Sequence, residues 1–149
     1  MIKNFIRKMM GIKPYDSISF QQAMDLTGLP IISLSQGKEK FNFLLDTGSN
    51  DNIIDSNILD EIKHEKKLDY QGTLSGLDGI KNEVTACNIS LSYKDKEYPF
   101  TYLVKDMKPA FDMMKSDFGV NLHGIIGSRF FNEYKYVLDF ADLIAYSKE

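Results

Sequence analysis

The stretch FNFLLDTGS, residues 41–49, decides how this chain of 149 residues is interpreted. A mostly apolar run, which suits a buried β-strand, leads directly to the carboxylate of Asp46 and then to the turn formers Thr47, Gly48 and Ser49. The simplest interpretation of Asp46 is a turn residue or a helix cap, because Asp-x-Gly is common in turns. The alternative is that the strand positions this carboxylate in a catalytic site.

The composition is that of a globular protein of one domain. A hydrophobic content of 43% with 26% charged residues is ordinary for such proteins, and the length allows one core but not two. The net charge of −3 argues against nucleic acid as a main partner, because no strong basic field is present. Cys87 is the single cysteine, which excludes an internal disulfide and fits a reducing compartment. With no transmembrane run and no signal-peptide pattern, we expect a cytoplasmic protein.

Residues 1–25 form a predicted N-terminal extension, and residues 26–149 form the predicted domain. Apolar residues near the start fall at helical spacing and predict a short amphipathic helix. We expect this helix to pack on its own domain or on a partner. Membrane contact by the helix and a mobile or removable extension are the two other interpretations.

Most of the chain after this extension has the pattern of short strands. Apolar runs at 30–34 and 41–45, separated by a turn at Gly37, predict a hairpin. More strands are expected near 52–54, 84–93, 98–104, 136–140 and 143–146. Short helices are expected at 57–66 after a cap at Ser56, around 111–118, and from a cap at Ser128 onward. The pattern therefore predicts a mainly β fold with two or three short helices.

Carboxylates hydrolyse an amide when one of a close pair is ionised and the other is protonated. Two carboxyl groups about 3 Å apart share one proton, because both cannot ionise at that distance. Residues 46–49 offer an acid, a bracing hydroxyl, a glycine for close backbone approach and a second hydroxyl. The Asp-x-Gly sequences at 77–79 and 117–119 have no apolar strand before them and no hydroxyl after them, so both are expected to be turns.

Residues 44–49, LLDTGS, together with Ile125, Ile126, Gly127 and the short helix after them, resemble the retropepsins. These are the single-domain aspartic proteases of retroviral and related cellular type. The resemblance covers roughly residues 28–146. It implies a closed or partly open β-barrel of the acid protease fold, with the apolar-apolar-Gly element running below the catalytic turn.

The resemblance also implies a role for each residue of the turn. Asp46 would be the catalytic acid, and Thr47 would make interlocking hydroxyl bonds beneath the active site. Gly48 would admit the substrate backbone, and Ser49 would bond the outer oxygen of Asp46. The glycine-rich hairpin at 72–79 would be the flap that closes over the substrate, with these residues at its tip: Gly76, Leu77, Asp78 and Gly79.

Since Asp-Thr-Gly occurs once, the second acid would come from another copy of the chain. The resemblance therefore implies a homodimer, in which Asp46 faces its symmetry mate. Its partners would be peptide or protein substrates, and no cofactor or metal is implied. His64, His123 and Cys87 are too few and too scattered for a zinc site, and His123 is expected to be structural.

One departure from the family concerns the brace beside the catalytic turn. The best-known retroviral enzymes have an Asp two residues after the turn glycine, which pairs with an Arg in the late helix. Here that position is Asn50, and Arg129 stands one residue later than the retroviral Arg, so a pair between Asp51 and Arg129 would be a substitute. Asp78 also lies where retroviral flaps are apolar. A catalytically silent retropepsin-like module for dimerisation or peptide binding is therefore the alternative function.

Overall fold

A computed structural model describes residues 9–11, 14–67, 72–75 and 81–149, with the backbone alone for 72–75 and 81–84. The strands are β1 (Ile31–Gln36), β2 (Glu39–Leu45), β3 (Asn52–Asp55), β4 (Glu65–Lys66), β5 (Gly72–Ser75), β6 (Lys81–Tyr93), β7 (Lys96–Lys105), β8 (Gly124–Ile126), β9 (Tyr136–Asp139) and β10 (Ile144–Ser147). The helices are α1 (Phe20–Thr27), a 3-10 helix (Ser56–Glu61), α2 (Lys108–Phe118) and α3 (Ser128–Glu133). Within these described ranges, no helix has the length and apolar character needed to cross a membrane.

Six strands close into a mixed barrel in the order β1-β2-β8-β3-β7-β6, and a pairing of Ser35 with Ser92 joins β6 back to β1. The β2–β8 and β3–β7 pairs are parallel, and the remaining pairs of the ring are antiparallel. Strands β4 and β5 pair with β6 outside the ring, while β9 and β10 form a separate hairpin. The predicted mainly β barrel with a few short helices is confirmed.

Strand β2 is covered on both faces, which explains the nearly continuous apolar run that precedes Asp46. Phe41, Phe43 and Leu45 point into the main core of the barrel. Leu44 faces the other way and packs on a second cluster that contains Ile31. Because burial on both sides fixes the register of β2, the position of the residue that follows Leu45 is fixed as well.

The segment before the barrel is attached to it by a helix and by backbone hydrogen bonds. A capping box formed by Ser19 and Gln22 starts α1, which buries Phe20 and Ala23. Upstream, Tyr15 N donates to Gly119 O at 2.7 Å. Helix α1 runs across residue 25, and the division of the chain at that residue stays a prediction. Apart from 9–11, the predicted amphipathic helix near the start lies outside the described residues.

Two predicted helix caps are wrong. Asp55, not Ser56, caps the 3-10 helix, because its carboxylate accepts hydrogen bonds from Asn57 N at 3.2 Å and from Met107 N at 3.0 Å. The helix ends at Glu61 instead of residue 66, since residues 65–66 pair with β6 as β4. Helix α3 begins at Ser128 itself, with Gly127 as its N-cap and no side-chain cap.

Gly124→Ala should strongly destabilise the protein, because its Cβ would overlap the carbonyl oxygen of Ile53 and the ring of Phe43. We expect a loss of about 3 kcal/mol or more in the free energy of unfolding, measured by urea denaturation. The matched control is Gly28→Ala, where φ is 72° but open space surrounds the new methyl group, so about 1 kcal/mol should be lost. Equal losses in the two variants would contradict the close packing of β8.

Candidate active site

The turn that follows β2 presents the Asp46 carboxylate at the surface of the chain. Asp46 N donates to Ile126 O at 2.9 Å, and Ser49 N closes the turn by donating to Asp46 O at 3.1 Å. Gly48 N donates to Asp46 Oδ1 at 2.9 Å, and a Cβ on Gly48 would lie 3.2 Å from that same oxygen. Thr47 and Gly48 are exposed, and Asp46 is half-buried. The carboxylate is therefore held by one backbone amide, that of Gly48, and remains open to solvent.

Strand β8 and the start of α3 support this turn from below. Leu44 pairs with Ile125 and Leu45 with Ile126 in the parallel β2–β8 ladder. Past the strand, Ser128 N donates to Ser49 O at 2.7 Å. The apolar-apolar-Gly element thus lies beside the strand that leads to Asp46 and then passes beneath the turn.

Gly127 has no room for a side chain. A Cβ at this position would lie 2.5 Å from Asp51 O and 2.7 Å from Ser49 O, closer than real Cβ contacts. The carbonyl groups of the turn therefore occupy the space that a side chain would take. Close approach of the two backbones explains why the element ends in glycine.

An ion pair between Asp51 and Arg129 braces the side of the turn. Arg129 Nη1 lies 2.7 Å from Asp51 Oδ1, and Arg129 N donates to Asn50 O at 3.1 Å. The Arg129 side chain is 68% exposed and the Asp51 side chain is 27% exposed. Because solvent screens such a pair, we expect it to contribute about 1 kcal/mol or less to stability. The pair that the sequence offered as a substitute brace is present, and it connects the loop after the turn to α3.

The structure places the other implied site residues as follows. The Ser49 hydroxyl donates to Asp51 O at 2.8 Å, where the resemblance implied a bond to the Asp46 carboxylate. The interlocking bonds of Thr47 would need a second copy and stay a prediction. Residues 76–79, the predicted flap tip, lie outside the described residues. The two arms that lead to this tip are described, with Gly72 paired to Val84 and Ser75 to Lys81.

Sequence reasoning assigned Asn52 to a strand and missed its contact with the site. Asn52 is fully buried, and its Oδ1 accepts a hydrogen bond from Gly127 N at 2.8 Å. The available signal was a polar residue at the head of the otherwise apolar run Asn52-Ile53-Ile54. A buried amide is usually hydrogen-bonded, but the sequence does not reveal the partner, which lies 75 residues away.

Comparisons with known proteins find the same fold. No model of a known protein family matches the chain, and no curated protein matches it. Among solved structures, the chain is similar to the EIAV protease complexed with the inhibitor HBY-793. The TM-score is 0.54 at 19% identity, and the match covers 78% of this chain and 97% of that one. The chain therefore has the retropepsin-like fold that the sequence resemblance implied.

His123, in the segment that enters β8, has the structural role expected of it. Its Nδ1 accepts a hydrogen bond from Asn42 N at 2.8 Å, and its own N donates to Asn42 O at 2.8 Å. The ring also packs edge-on against Phe41. Burial lowers the pKa of His123, and the charges of Asp16 and Asp55 oppose part of this effect. The neutral imidazole thus joins β8 to β2, the strand that leads to Asp46.

Acidification should weaken the fold through His123. Because the folded pKa lies below the ordinary value of about 6.5, the unfolded chain takes up a proton first, and stability falls as the pH drops below that value. We expect the melting temperature of His123→Asn, which keeps an acceptor but cannot titrate, to fall less steeply between about pH 7 and pH 5. An unchanged slope in His123→Asn would contradict this role.

Proposed function

We propose that this protein is an aspartic endopeptidase whose active site combines Asp46 from two copies of the chain. The observation that carries the proposal is the state of the Asp46 carboxylate. Its Oδ1 accepts a hydrogen bond from Gly48 N, and the backbone of Asp46 is held by the bond from Asp46 N to Ile126 O. The carboxylate nevertheless remains open to solvent, where a substrate and a second carboxylate can reach it.

The second carboxylate is proposed to come from a partner copy. Asp51, the next acid along the chain, is paired with Arg129 and is thereby committed to the brace. A two-fold axis next to the exposed turn would bring Asp46 against its own symmetry mate, an isologous contact. Thr47, exposed in the single chain, would then lie between the two turns.

The chemistry follows from the sharing of one proton by two close carboxyl groups. The ionised carboxylate takes a proton from a water molecule, which attacks the carbonyl carbon of the peptide bond. The protonated partner donates to the carbonyl oxygen, and a proton then passes to the leaving nitrogen. No covalent intermediate with the enzyme forms. The Gly48 amide contributes by holding one oxygen of Asp46 in place.

The proposed substrate is an extended peptide that lies between the turn and the β5–β6 hairpin. Main-chain hydrogen bonds would supply affinity, and pockets for alternate side chains would supply specificity. The proposed flap tip, Gly76, Leu77, Asp78 and Gly79, would close over this peptide and exclude water. Asp78 would place a carboxylate in that cover.

A silent dimerisation or peptide-binding module is the competing function. Two observations favour it: the Ser49 hydroxyl is engaged with Asp51 O, and Asn50 is uncharged where the retroviral enzymes carry an acid. A statine-type transition-state mimic separates the two functions. It should bind tightly only to a properly formed pair of carboxyl groups, whereas a silent module would bind peptide and inhibitor equally weakly.

Asp46→Asn should abolish cleavage of a fluorogenic peptide library, with a loss of about 10²- to 10⁴-fold in rate. The amide cannot accept the proton from water, while its size leaves the fold intact. Asp117→Asn is the matched control, because Asp117 is exposed and has the same Asp-x-Gly spacing at the end of α2. Cleavage that persists in Asp46→Asn would end the assignment.

Mixing subunits should reveal whether two copies share one site. If wild-type and Asp46→Asn chains are unfolded together and refolded in equal amounts, about one quarter of random dimers contain two intact acids. Activity per total protein should therefore fall to about one quarter of the wild-type value. A value near one half would show that each chain works alone, and would contradict the shared site. Sedimentation measurements on the same samples would establish the dimer.

A further inference from the structure

We propose that Asn52 is a positioning residue for the turn that carries Asp46. Its amide oxygen holds Gly127, and through Gly127 it fixes the segment that supports the turn from below. The consequence for catalysis rests on the proposed function. The structural part, the bond between Asn52 and Gly127, does not depend on it.

The bond completes a row of contacts between residues 126–129 and the turn. Ile126 O accepts from Asp46 N, and Ser128 N donates to Ser49 O. Between these two main-chain contacts lies Gly127, whose N–H is directed to Asn52 Oδ1 at 2.8 Å. The N–H groups of Ser128 and Arg129 donate to carbonyl oxygens of the turn region, whereas the N–H of Gly127 donates to the Asn52 side chain. Strand β3 is thereby tied to the same segment as β2.

Filling space in the core does not by itself explain why residue 52 is an asparagine. The side chain is fully buried, and its Nδ2 has no hydrogen-bond partner among the described residues. A leucine of similar shape would fill the space without the free-energy cost of an unpaired buried amide. The bond from Gly127 N to the amide oxygen is therefore the reason for a polar group at this position.

Tyr102 is a second buried polar residue beside Asn52. It lies opposite Asn52 in the β3–β7 register, and its hydroxyl also lacks a partner among the described residues. Burial raises the pKa of Tyr102, and the adjacent Asn52 amide opposes part of that rise. The Asn52 amide and the Tyr102 hydroxyl are thus buried neighbours on β3 and β7. Tyr102→Phe removes the hydroxyl and leaves Asn52 Oδ1 in place. It therefore separates the role of Oδ1, which binds Gly127 N, from any effect of the neighbouring hydroxyl.

Loss of the bond would act on Asp46 through the backbone. The turn carbonyls of Ser49 and Asp51 already occupy the space around Gly127, so this glycine cannot move toward the turn and can only move away. A shift of Gly127 would carry Ile126 O with it, and Ile126 O is the acceptor for Asp46 N. Displacement of a catalytic group by about 1 Å can cost about 100-fold in rate.

The test compares Asn52→Leu, Asn52→Asp and Tyr102→Phe in the full chain, with hydrogen exchange of the Gly127 amide and peptidase kinetics as the two readouts. In folded Asn52→Leu we expect exchange at Gly127 to rise about tenfold or more. We expect kcat to fall about 10- to 100-fold while KM stays within about twofold. Tyr102→Phe should leave both readouts close to wild type, because it keeps the acceptor.

Asn52→Asp keeps the acceptor and tests the proposal if Asn52→Leu does not fold. Below the pKa of the new carboxyl group, the Gly127 amide should be protected as in wild type. Above that pKa, kcat should fall while KM stays unchanged, because the buried carboxylate carries a charge that no counter-ion balances.

Two outcomes would overturn the proposal: wild-type protection of Gly127 in folded Asn52→Leu, or lost protection in folded Asn52→Asp at low pH. If wild-type protein cleaves no peptide, the proposed function fails, but exchange at Gly127 still decides the role of Asn52.

Discussion

The parallel pairing of β2 with β8 is the contact on which the rest of the structure depends. It brings Leu44 and Leu45 beside Ile125 and Ile126, across about 80 residues of chain. At the end of this ladder the backbone of Gly127 passes under the turn. The carbonyl oxygens of Ser49 and Asp51 lie so close to it that no Cβ would fit. The position of Asp46 depends on this close approach of two backbones.

Around that contact, the protein fixes the turn with many modest interactions instead of one strong one. Main-chain hydrogen bonds hold the turn from below, the exposed Asp51–Arg129 pair holds it from the side, and His123 joins β2 to the segment that enters β8. Each contributes little alone, since exposed ion pairs and single hydrogen bonds are each worth about 1 kcal/mol. Together they hold the turn that carries the Asp46 carboxylate, which is the preorganisation that the proposed function requires.

The site also shows why the fold and its activity are separate questions. The barrel, the turn and the supporting element are all present in one chain, and they are sufficient to define the fold. Hydrolysis requires in addition a second carboxylate, which in the proposed function belongs to another copy. The exposure of Thr47 and Gly48 is therefore the structural feature that connects the single chain to its proposed assembly.

The sequence by itself determined most of the strands, the turn and the supporting element, because these depend on local chemistry, although it predicted a helix where β4 lies. The apolar run before Asp46, the glycine at 48 and the Ile125-Ile126-Gly127 element are visible as patterns, and so is the choice between Asn50 and Asp51 as partner of Arg129. The sequence did not place the helix caps correctly at Asp55 and Gly127. The cap bond of Asp55 comes from the nearby Asn57 N, but its carboxylate also accepts from Met107 N, a donor that only folding brings near. The sequence also missed Asn52, whose partner Gly127 is brought near by the antiparallel β3–β8 pairing. Local propensity depends on neighbouring residues, so the sequence shows it. The partner of a buried polar group depends on which distant strands pair, and only the tertiary structure decides that.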